Sequence, residues 1–143
     1  MRTLTFPLLL LALSAPAAAQ VSTLGDVKMK GGVRLSAQEL RDLMPGATVV
    51  SRTQAGSTRH WQNRPDGTFT ATSDGRGQSG GRNTYASGEG TWRVTDEGRL
   101  CVTIAWPRSP DDWCRYMFKL DDRYYGVGTL SNESTASEFE FTK

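Results

Sequence analysis

The chain contains a single histidine, His60, and two cysteines, Cys101 and Cys114, and these limit the chemistry open to it. One imidazole serves as a general base only where a nucleophile or an orienting carboxylate converges on it. Serine and aspartate are plentiful, so a Ser-His-Asp set stays open on composition, but no nucleophile-elbow pattern is read in the chain. A zinc site needs three or more converging N, S or O ligands, and cysteines committed to a disulfide are not free to supply them. The paired acids Asp96-Glu97, Asp111-Asp112 and Asp121-Asp122 all fall in expected turns, where aspartate serves backbone hydrogen bonding. The Gly-rich run over residues 74–83, DGRGQSGGRN, lacks the G-K-S/T ending of a phosphate loop and the alternating acids of a calcium loop. It reads either as a plain connection or as a mobile lid over a barrel mouth. No catalytic residue, metal site or cofactor is expected.

The aromatic residues are the stronger lead. Trp61, Trp92, Trp106, Trp113, Tyr85, Tyr116, Tyr124 and Tyr125 are many for so small a domain. Trp92 and Trp106 alternate with polar neighbours and read as core. Trp61, between His60 and Gln62, and Trp113, at the edge of a turn, are the two expected to reach the surface. With Arg59 and Arg64 nearby they form the candidate binding set, suited to a glycan, a peptide or a partner protein. Packing at the rim of a small barrel is the competing reading.

Residues 88–120 organise the elements that must position these side chains. Trp92 and Val94 alternate with Arg93 and Thr95, the period of two of a half-buried strand. Thr95-Asp96-Glu97-Gly98 supplies a turn in which Gly98 accepts positive φ. Leu100, Val102, Ile104 and Trp106 then share a face, and Pro107 and Pro110 mark a second turn. Cys114, Tyr116, Phe118 and Leu120 resume the alternation, so a meander of three antiparallel strands is predicted. Cys101 and Cys114 fall on neighbouring strands about as far from the second turn as a cross-strand disulfide requires, although spacing alone leaves two free thiols open. Taking Tyr116 and Phe118 as core-facing puts the cysteines on opposite faces, so a bulge or a shifted register is expected to reconcile them.

The chain opens with Arg2, an apolar run over 4–13 and small residues up to Ala19, the layout of a secretory signal peptide cut between Ala19 and Gln20. That run is too short to span a bilayer, and no later stretch is long enough. An uncleaved anchor is the alternative. Residues 1–19 are read as the signal peptide, 20–34 as a flexible N-terminal segment, and 35–143 as one helix-plus-β domain, exported to the periplasm or secreted. Lys and Arg number 17 against 15 Asp and Glu, a balance that argues against nucleic acid or an anionic membrane as partner.

Over 35–44, Ser36 as N-cap and Glu39 three residues on form a capping box, Leu35 and Leu40 form a hydrophobic staple, and Pro45-Gly46 is the stop. So short a helix needs a surface to dock on, here the open end or concave face of the following sheet. Strands are predicted over 48–53, 58–63 and 68–72, with Arg64-Pro65-Asp66-Gly67 as a tight turn, and two closing strands over 124–127 and 138–141. About eight strands after one helix make a mainly β fold. It is expected to be a small antiparallel up-and-down β-barrel, lipocalin-like in shape, or a strongly curved sheet, with one short N-terminal helix.

The pieces LSAQELRDLMPG at 35–46, PDGTF at 65–69, GTWRVTDEGRLC at 90–101 and CRY at 114–116 together resemble a family of small exported proteobacterial proteins classed as a domain of unknown function. The resemblance spans most of the mature chain. It implies a bacterial periplasmic address and a compact β fold with one N-terminal helix, and it implies no catalytic or binding residue. Gly90-Thr91-Trp92 is similar to the G-x-W of lipocalins and avidins, which there opens the barrel near the N-terminus and here comes late. The expected function is a non-catalytic binding module for a small ligand, a glycan or a protein of the cell envelope. The alternative is a small periplasmic hydrolase using His60.

Overall fold

Each strand from Thr48 onward is followed by a short connection and pairs antiparallel with the next, so local turns decide the topology. The computed structural model describes residues 20–75 and 84–143. Its elements in chain order are α1 (Leu24–Met29), β1 (Val33–Arg34), α2 (Ala37–Leu43), β2 (Thr48–Arg52), β3 (Thr58–Gln62), β4 (Thr68–Gly75), β5 (Thr84–Val94), β6 (Arg99–Ala105), β7 (Asp111–Leu120), β8 (Arg123–Val127) and β9 (Ala136–Thr142). The last strand returns to the first of the series: Val49 of β2 pairs with Phe141 of β9, and Ser51 with Phe139. Strands β2 to β9 therefore form a closed eight-stranded antiparallel barrel, and β1 adds a short extra strand against β7 at Val33↔Lys119. A closed barrel, rather than an open curved sheet, is the architecture.

The turn chemistry is as the residues require. Gly98 adopts φ 82 in the β5–β6 turn and donates its N–H to the Thr95 carbonyl at 3.0 Å, a backbone region where a Cβ is costly. Glycine also serves inside the barrel. Gly90 pairs with Phe69 across β4 and β5, and a Cβ there would lie 2.1 Å from the Phe69 ring. The bare backbone of β5 makes room for the ring, which in turn stacks on Trp61 at 5.1 Å.

Helix α2 closes one end of the barrel. Its capping box is formed: the Glu39 N–H donates to Ser36 Oγ at 3.1 Å and the Ser36 N–H donates to Glu39 Oε2 at 2.7 Å. Leu40 and Met44 are completely buried and join Val49, Phe69, Leu100 and Phe141 in the barrel core. Asn63 ties the plug to the wall, donating its amide to the Met44 carbonyl at 3.0 Å and accepting from Trp61 Nε1 at 3.0 Å. Trp61 is only 5% exposed, so the surface position expected for it is wrong. The alternation that exposes His60 and Gln62 is the same alternation that turns Trp61 inward.

One feature of the N-terminal part of the chain differs from expectation. Residues 20–34 are not structureless, because α1 forms there. Thr23 caps it, accepting from the Asp26 N–H at 3.2 Å, while the Asp26 carboxylate accepts from the N–H of Thr23 at 2.9 Å and of Ser22 at 3.0 Å. These hydrogen bonds hold the Asp26 carboxyl below the usual aspartate range. Leu24 and Val27 are fully buried in a second apolar cluster with Phe118, Tyr125, Val127 and Ala136, on the outside of the barrel. The described residues thus contain two helices, one inside the barrel end and one against its wall.

That outer cluster settles the cysteine parity. Tyr116 and Phe118 face outward beneath α1, so the inward face of β7 is the one carrying Trp113 and Met117. Cys101 and Cys114 then point to the same outer face and stand directly opposite each other, with Cα atoms 4.0 Å apart and a disulfide between them. No bulge and no register shift is needed. Among the described residues no helix is long and apolar enough to cross a membrane.

Two tests follow from this packing. Leu40→Ala is expected to cost about 2–5 kcal/mol in urea unfolding, as truncation of a fully buried leucine does; an unchanged midpoint would mean that α2 does not plug the barrel. Alkylation of the unfolded, unreduced protein should label neither cysteine, and Cys101→Ser should destabilise it by roughly 2–5 kcal/mol.

Candidate functional site

The end opposite α2 is open, and there the interior changes from apolar to charged. Inward positions near the core hold Ile104, Met117 and Phe69, whereas the last inward positions of β3 and β7 hold Arg59, Asp111 and Arg115. A cavity of about 610 Å³ enters at this mouth, walled by those side chains together with Ser51, Trp113 and Ser137, and floored by Phe139. The volume falls in the range of small-molecule pockets.

The floor is aromatic. Phe139 is fully buried, stacks on Phe141 with centroids 5.8 Å apart, and meets Trp113 at 5.6 Å in a tilted contact. Arg115 lies over this surface, with its guanidinium carbon 4.8 Å from the Trp113 centroid and 5.8 Å from that of Phe139. Gly126 of β8 makes the placement possible, because a Cβ there would come within 3.0 Å of Arg115 Cδ and 2.9 Å of the Phe139 ring.

The charges at the mouth are not balanced. Asp111 is held by Arg59 in an ion pair and accepts from Trp106 Nε1 at 2.9 Å, and the Arg59 guanidinium rests over the Trp106 ring at 5.4 Å. Arg52, at the rim, is turned to Glu138 and Glu140 at 3.1 and 3.2 Å. Arg115 makes no ion pair with a carboxylate among the described residues, and residues 76–83 contain no acid. Burial, and after it repulsion from Arg59, lower the Arg115 pKa from the ordinary arginine value, with Asp111 offsetting part of the effect. Arginine keeps its proton through such a shift, so among the described residues the mouth carries one uncompensated positive charge against aromatic rings.

Of the four residues singled out from the sequence, Trp113 and Arg59 meet at this mouth. The other two do not. Trp61 belongs to the core, and Arg64 lies in the β3–β4 turn at the plugged end, donating to Thr68 Oγ1 at 3.0 Å and Thr70 Oγ1 at 3.3 Å. Sequence reasoning missed Arg115, whose signal was its spacing of two from both Trp113 and Met117. It also placed Asp111 in a turn, whereas Asp111 begins β7 and points inward.

His60 is exposed on the outer face of β3 and makes no side-chain hydrogen bond among the described residues. An elbow pattern was passed over in the sequence: Gly77-Gln78-Ser79-Gly80-Gly81 spells G-x-S-x-G, but residues 76–83 lie outside the described residues, and the next described element is strand β5, not a helix. The lid reading of residues 74–83 likewise falls largely outside the described residues. Among those described, no group of three or more His, Cys, Asp or Glu is placed to hold a metal ion.

No curated protein and no solved structure matches the chain. One family does, over residues 8–114, a span that runs from before α1 to the second cysteine of the disulfide and stops one residue short of Arg115. The match covers most of the chain, as did the motifs at α2 and the β5–β6 hairpin. The chain belongs to the family described as protein of unknown function, DUF995.

Proposed function

We propose that this protein is a non-catalytic binding module of the cell envelope that takes a small ligand into the open mouth of its barrel. The observation that carries the reading is the asymmetry of the two ends. One is filled by Leu40 and Met44, and the other admits a cavity of about 610 Å³ down to a buried aromatic floor. Binding of this kind needs an apolar surface and a few placed polar groups. Trp113 and Phe139 supply the first; Arg59, Arg115, Ser51 and Ser137 supply the second. The disulfide fits an oxidising compartment, and with the apolar leader of residues 4–13 it supports export. Among the described residues, His60 lies on the outer face and does not line the mouth, which favours binding over a hydrolysis that uses His60.

The test uses a neutral fluorescent probe, N-phenylnaphthylamine. Saturable binding to the exported chain is expected, and Trp113→Ala should weaken it by more than about 1 kcal/mol, as loss of an aromatic anchor does. His60→Ala and Arg64→Ala should leave it unchanged, since both side chains lie outside the mouth. Trp61→Ala should instead lower stability, by about 3–5 kcal/mol. Probe binding that ignores Trp113 but disappears with His60 would overturn the proposal.

A further inference from the structure

We infer that the ligand of the mouth is a small amphipathic monoanion, a carboxylate or sulfonate on a flat or apolar body, with Arg115 as its anchor. The inference rests on the mouth being a ligand site and goes on to name the ligand's chemistry.

The argument begins with what Arg115 lacks. Arg115 is half-buried, and a cation that has lost part of its hydration is stabilised by a partner. Here the neighbouring acid is already committed: Asp111 is gripped by Arg59 and by Trp106 Nε1. The rim acids Glu138 and Glu140 are engaged by Arg52 and Arg123. What remains for Arg115 are the faces of Trp113 and Phe139, which orient its planar fork and leave its donors to the cavity. A guanidinium so placed matches the two oxygens of a carboxylate or a sulfonate. Its stem passes over the bare backbone of Gly126, where a Cβ would stand 3.0 Å from Arg115 Cδ.

The rest of the site sets charge and size. Among the described residues that line the mouth, Arg52 is engaged by Glu138 and Glu140, so Arg59, Arg115 and Asp111 leave one positive charge, which one negative charge neutralises. Arg59 lines the same cavity with its charge already engaged by Asp111, so Arg115 is the cation left for the anion. The partly exposed Trp113 ring receives an apolar body, which excludes water from the ion pair and strengthens it. A cavity of about 610 Å³ suits one small organic acid and not a two-chain lipid.

The test compares two probes that share one aromatic body, N-phenylnaphthylamine and its sulfonated counterpart, anilinonaphthalene sulfonate. The sulfonate is expected to bind about tenfold more tightly or better, the scale of one charge-assisted contact. Arg115→Met should bring the two probes to within about twofold of each other, Arg115→Lys should keep part of the preference, and octanoate should displace the sulfonate where octanol does not. Arg64→Met, at the plugged end, controls for non-specific charge and should leave the preference intact. Equal binding of both probes to the unaltered chain, or a preference that survives Arg115→Met, would overturn the anion assignment and leave the mouth standing as an apolar pocket. Failure of both probes to bind would remove the ligand site itself, and this inference with it.

Discussion

The ladder between β2 and β9 is the contact on which the rest of the structure depends. It joins the first strand of the meander to the last, through Thr48↔Thr142, Val49↔Phe141, Val50↔Glu140 and Ser51↔Phe139. Until it forms, the sheet has two free edges and two equivalent faces; once it forms, every strand has an inside and an outside. Alternation along each strand then assigns every side chain to one of three environments: the apolar core, the mouth, or the outer wall that α1 covers. The disulfide, the plug and the candidate site all follow from that assignment.

Strand β7 shows how much one parity decides. Its inward residues Trp113, Arg115 and Met117 descend from the mouth to the core, while Cys114, Tyr116 and Phe118 face out. Both faces are apolar because both are covered, one by the barrel interior and the other by Leu24 and Val27 of α1. The barrel is therefore held from two sides at the strand that carries the site. A rigid scaffold behind Arg115 is what a preorganised anion anchor requires, because little side-chain entropy is left to lose on binding.

Helix α2 and the eight barrel strands were legible in the sequence because their signals are local. A capping box at Ser36 and Glu39, period-two alternation, and turns with glycine at the left-handed position each work within a few residues. Helix α1 was missed since its capping box uses Asp26 instead of Glu or Gln, and its six residues bury only Leu24 and Val27. The inward face of β7 could not be chosen locally, because Tyr116 and Phe118 are as apolar as Trp113 and Met117; only the docking of α1 distinguishes them. The same misreading hid Arg115 and demanded a bulge that does not exist. Trp61 was misplaced for the opposite reason: polar neighbours at His60 and Gln62 were taken as signs of exposure, when on a strand they mark the other face. Half of the candidate site, Arg59 and Trp113, was within reach of the sequence. The other half required knowing which end of the barrel is open.

The most direct measurement is made on the Arg115 guanidinium itself. In the chain labelled with nitrogen-15, the Arg115 Nε–Hε resonance should shift and sharpen on titration with octanoate and stay still with octanol. The resonance of Arg64, at the plugged end, should respond to neither. An Arg115 signal that is indifferent to octanoate while other side chains respond would contradict the account, since the uncompensated charge in the mouth would then not be where an anion binds.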